Sequence, residues 1–145
     1  MRDDLKDFFS DLISLYNLKC KLFEKLYISE INKRYFAKSD NIEDLLESIE
    51  QDKEIYESIN VLDCDIEALK SRICNVSGVN SQDFNQIINK KEKIFIELRA
   101  ILDQLAKIIG ALTTERDMLI ASLEDKRVKL KGDIESLSIV KRIKI

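Results

Sequence analysis

The chain has 145 residues, no Pro, His or Trp, three Gly and a net charge of −3. The missing His removes the commonest general base and zinc ligand, and the slight acidity excludes a general attraction to nucleic acid. Apolar residues at 45% and charged residues at 35% suit an amphipathic helical packing and are too apolar for a disordered chain.

The first helix is expected over about 3–38, with Asp3 and Asp4 at the positive end of its dipole. Leu5, Phe8, Leu12, Leu15, Leu22, Leu26 and Tyr35 trace an apolar face, widened by Phe9, Ile13, Tyr16, Phe23, Tyr27 and Ile31. Four Phe and all four Tyr fall in the first 56 residues, so aromatic packing should concentrate there.

A break comes next at Ala37–Asn41, where Asp40 with Glu43 three residues on has capping-box spacing. The second helix, about 41–76, steps in threes and fours through Ile42, Leu45, Ile49, Asp52, Tyr56, Ile59, Leu62, Ile66, Leu69 and Ile73. Asp52 is the one polar residue of that seam, set either to fix register or to face water. Gly78 suits a left-handed C-cap, and Asn80 or Ser81 can cap the next helix. So short a connection makes the flanking helices antiparallel neighbours.

A third helix is expected over about 81–137. Its main stripe is Ile94, Leu98, Ile101, Leu105, Ile108, Leu112 and Leu119, with Glu115 at the one polar step. At about 1.5 Å per residue it would be a rod of roughly 85 Å, too long to cover its own stripe. A second seam of Ile88, Phe95, Leu102 and Ile109 gives it an arc wide enough for two neighbours. Gly110 and Thr113–Thr114 are weak helix formers where a bend is open to it.

The resulting expectation is one all-α domain over 1–145. Its long antiparallel helices form an elongated three-helix bundle or coiled-coil hairpin, with a tail at 138–145. Residues 40–70 carry eleven acids against two bases, and residues 126–145 seven bases against two acids. These stretches are either solvated faces or partners for one another. Cys20, Cys64 and Cys74 form no CxxC pair and are expected as free thiols. No nucleotide, hydrolase or metal motif is present, so neither an enzyme nor a cofactor is expected. The acidic start does not read as a secretion signal and no run reaches membrane-span length, so a cytoplasmic location with no stable membrane insertion is expected.

Several pieces appear in an ordered series: LISLYNLKCKLFEKL (Leu12–Leu26), DNIEDLLESIEQDKEI (Asp40–Ile55), SINVLDCDI (Ser58–Ile66), VSGVNSQDF (Val76–Phe84) and ERDML (Glu115–Leu119). Their order and lengths resemble the small helical flagellar export chaperones of the FlgN and FliT type. That resemblance implies a cytoplasmic chaperone for late axial flagellar subunits, the hook–filament junction or cap proteins, delivering them to the export apparatus. A client helix would take the place of a missing bundle neighbour. The expected client groove lies late in the chain, at Leu119, Leu123, Leu130, Ile134, Leu137, Ile139 and Val140. A self-associating structural coiled coil without a client, such as a homodimer, is the alternative. A third reading is a peripheral adaptor that lays its basic tail on a membrane.

Overall fold

An uninterrupted 36-residue run without Gly or Pro, opened by Asp3 and Asp4, forms helix α1 (Asp3–Lys38). The structure, a computed structural model, describes residues 3–129, with side chains to Arg127. Helix α2 (Ile42–Ser77) begins one residue later than the capping box suggests. Asn41 is the N-cap, and its side chain accepts from the Asp44 backbone N–H. Asp40 instead takes a left-handed turn conformation, φ 58°. Gly78 closes α2 at φ 70°, its N–H bonded to the Cys74 carbonyl.

The expected continuous third helix is in two parts. A 3-10 turn (Ser81–Asp83) leads into the short α3 (Phe84–Ile88), and the long helix α4 runs from Lys93 to Lys129. Between them Asn89, Lys90, Lys91 and Glu92 leave the helix. Two forces explain the break. Phe84 and Ile88 turn inward to pack with Phe9 and Phe95. The Arg99 side chain then donates to the freed carbonyls of Ile88 and, at 2.9 Å, Lys90, groups that would otherwise lack partners. Gly110 does not interrupt α4.

α1 is the central element, its backbone close to both α2 and α4 along their lengths, while α2 and α4 stand further apart. Lys19 pairs with Asp63 and Lys33 with Asp52, so α1 and α2 are antiparallel. Cys20 meets the Ile101 carbonyl and Arg34 meets Glu115, so α1 and α4 are parallel. The described residues thus form an all-α, up–down–up bundle of three long helices. The main core, at the α3 end, is built from Phe9, Leu12, Tyr16, Ile66, Ile73, Phe95 and Leu98. Above it lies a middle layer of Leu26, Ile59 and Leu112. A separate cluster of Ala37, Leu45, Leu119 and Leu123 closes the α1–α2 turn end.

Candidate interaction surface

Helix α1 carries its seam through Leu26, Glu30, Lys33 and Ala37, all buried. These steps of four, three and four continue the register of Phe9, Leu12 and Tyr16. Two charged residues therefore enter the interior, where Asp52 of α2 meets them. The Lys33 ammonium donates to Glu30 Oε1 at 2.6 Å and to Asp52 Oδ2 at 2.7 Å. Ser29 Oγ donates to Asp52 Oδ1 at 2.7 Å. From α4, Arg116 brings its Nε within 3.8 Å of Glu30 Oε1 and donates to the Tyr56 hydroxyl. Glu30 Oε2 is buried with no hydrogen-bond partner among the described residues. Asp52, 4% exposed, therefore does not face water, which leaves the register role of the two readings. Glu115, the polar step of the α4 stripe, pairs with Arg34 at 3.1 Å. This charged layer separates the turn-end cluster from the rest of the core.

The same register leaves Ile28, Ile31 and Tyr35 outside. Spacing alone puts Ile31 and Tyr35 on the apolar face, yet Ile31 is exposed, Tyr35 is 68% exposed and Ile28 is 58% exposed. Their spacing of three and four places all three on one side of α1. Arg34 reaches across the α1–α4 seam at this level to Glu115 and Met118, and Met118 is itself exposed.

A second apolar feature lies on the outer side of the α1–α2 pair. An open groove of about 790 Å³ has a floor of Leu18, Leu22, Val61 and Leu62. One wall holds Lys21 and Lys25, the other Glu54, Glu57 and Asp65. A smaller cleft of about 360 Å³ sits at the other end, bordered by Leu5, Ile73, Ile87 and Phe95.

The residues expected to form a late client groove divide into two sets. Leu119 and Leu123 are buried against Ala37, Leu45, Phe36 and Ile49, so they are core and present no open surface. Leu130, Ile134, Leu137, Ile139 and Val140 lie outside the described residues. Of the acidic and basic stretches, read as either solvated faces or partners, Lys126 pairs with Asp40, and residues 130–145 lie outside the described residues.

Burial raises the Tyr16 hydroxyl above its ordinary value, with the Glu67 and Asp63 carboxylates adding to the effect. Burial also raises the Cys20 thiol, Glu24 adding and Lys19 opposing. All three cysteines are free, Cys64 exposed and Cys20 and Cys74 buried. No group of His, Cys, Asp and Glu among the described residues has the arrangement of a metal site. No described helix is long and apolar enough to cross a membrane. Two apolar strips framed by charge are the features of this surface that suit contact with another protein. The chain matches no protein-family model, no curated protein and no solved structure.

Proposed function

We propose that the chain is a cytoplasmic flagellar type III export chaperone. It binds the helical end of a late axial subunit, a hook–filament junction or cap protein, and presents it to the export apparatus. The observation that carries this reading is the strip of Ile28, Ile31 and Tyr35. A bundle that buries charges at Glu30 and Lys33 nevertheless leaves three large apolar side chains of the same helix in water. Such a strip suits the apolar face of an amphipathic helix, read at the same spacing of three and four. Beside it stand the order and lengths of the segments that resemble the chaperone family. The client strip proposed is therefore on α1 rather than at Leu119 and Leu123.

The test is titration of the purified chain with peptides spanning the terminal helices of its organism's late axial subunits, read by fluorescence anisotropy. Binding should occur, and Ile31→Asp with Tyr35→Asp should weaken it at least about tenfold, the loss expected for two apolar anchors. Helix content should be unchanged by circular dichroism. Absence of binding to every such peptide refutes the client class; binding unaffected by the substitutions refutes the strip.

A further inference from the structure

The groove between α1 and α2 has a charge pattern that selects its occupant. Lys21, Lys25, Glu54, Glu57 and Asp65 are all exposed, and none makes an ion pair with another described residue. Charges elsewhere on the same helices do pair, as in Lys19–Asp63, Lys53–Glu50 and Lys70–Glu67. The groove walls are thus basic on α1 and acidic on α2, over about three helical turns. Between them Leu18 and Val61 are 51% and 64% exposed.

The register of the helix pair sets the heights of these walls. Lys19 pairs with Asp63 and Ser29 with Asp52, so Lys25 stands level with Glu57 and Lys21 with Val61. A second copy turned by 180° about an axis along the groove lays its α1 over this chain's α2, at equal height. Lys25 then faces the partner's Glu57, Lys21 lies beside the partner's Asp65, and each contact occurs twice. The apolar floors meet in the middle. Rotation about an axis across the groove would instead set lysine against lysine and acid against acid, which is repulsive. One of the two twofold arrangements is therefore self-complementary.

The groove covers about three turns, roughly 16 Å of a helix pair about 20 Å wide. A contact spread along both 36-residue helices, about 54 Å long, would offer about 800 Å² per partner, as in an interface of standard size. The dimer would place α1 and α2 of both copies in a central four-helix arrangement, with each α4 outside.

We infer that the outer face of α1 and α2 is a homodimer interface, parallel and twofold-symmetric, in which the lysine wall of each copy meets the acidic wall of the other. It does not depend on the client reading: Ile28, Ile31 and Tyr35 do not line the groove, and of the three Ile28 alone borders the lysine wall, three residues beyond Lys25.

The experiment is sedimentation equilibrium of the full chain between about 1 and 100 µM, a range that resolves micromolar affinities. The natural chain should be dimeric over part of that range. Lys21→Glu with Lys25→Glu makes both walls acidic and should weaken self-association about 100-fold. Glu54→Lys, Glu57→Lys and Asp65→Lys together make both walls basic and should do the same. Mixing the two variants should restore a dimer, as should combining all five substitutions in one chain. Circular dichroism checks that each variant keeps its helix content. Leu18→Asp with Val61→Asp should also yield monomers. A natural chain that stays monomeric overturns the inference, including one whose groove binds a client helix instead. So does a dimer indifferent to either wall, or a failure of the mixed variants to associate.

Discussion

Lys33 lies between two carboxylates that are themselves out of water, so its removal is the most informative single change. Glu30, Lys33 and Asp52 are all buried, and the ammonium bonds both acids at 2.6 and 2.7 Å. Lys33→Met keeps much of the stem volume and deletes the charge. Two buried carboxylates are then left with Arg116, 3.8 Å from Glu30, as the nearest cation. Stranding buried charges in this way costs about 3–5 kcal/mol. With a urea dependence of about 2 kcal/mol per molar for a chain of this size, the midpoint should fall by about 2 M. Replacing the whole trio by apolar residues, Glu30→Met, Lys33→Met and Asp52→Leu, removes the desolvation cost together with the pair. That variant should melt within about 0.5 M of the natural chain or above it. Urea titration monitored by circular dichroism measures both. A fall below about 0.5 M for Lys33→Met would mean that water or other groups already solvate the acids, and the charged layer would lose its part in setting register.

Leu119→Glu should unfold the turn end and lower the whole chain's stability, and Leu119→Ala should cost about 2–5 kcal/mol by urea titration, because Leu119 is fully buried. Gly78→Ala should cost about 1 kcal/mol in the same assay, since φ 70° strains any side chain although nothing lies within 4 Å of the added Cβ. Under native conditions one thiol, Cys64, should react rapidly with a disulfide reagent, and Cys20 and Cys74 only after unfolding; three equally fast thiols would contradict their burial. Tyr16 is held neutral in the folded state above its ordinary value of 10.0. Its raised folded value means that ionisation at high pH favours the unfolded chain, so stability falls as pH rises through about 10 and levels off above the folded value. Tyr16→Phe should therefore show a smaller drop in melting temperature between about pH 9 and 11 than the natural chain.

Much of the architecture was legible from breakers and spacing. Asp3 and Asp4 mark the start of α1, Gly78 marks the end of α2, and Leu98, Ile101, Leu105, Leu112 and Leu119 of the α4 stripe are buried as their spacing requires. The break before α4 was not, because no Gly or Pro announces it. Its cause is tertiary: Phe84 and Ile88 fold onto Phe9, and Arg99 supplies the missing hydrogen bonds. The one local sign was the run from Asn89 to Lys93, five polar residues where the apolar period lapses. In α1, hydrophobicity pointed to Ile31 and Tyr35 as the continuing face. Geometry chose Glu30, Lys33 and Ala37, since α1 must keep one register from Leu26 onward. Reading Asp52 in the α2 seam together with Glu30 and Lys33 three residues apart in α1 would have found the layer. The groove was harder to see, because its two walls are separated by some thirty residues of sequence and become neighbours only through the α1–α2 pairing.

The pairing of α1 with both long helices sets an order of assembly. Its contacts with α2 close a short loop, whereas those with α4 join residues as distant as Arg34 and Met118. Loop-closure entropy favours the first set, so the α1–α2 hairpin should form early in folding and α4 should dock late. During synthesis the hairpin is complete in sequence before α4 has been made, and the side of α1 that will receive α4 is then uncovered. Substitutions at Ile59 or Leu62 should slow refolding, while those at Leu105 or Leu119 should chiefly speed unfolding.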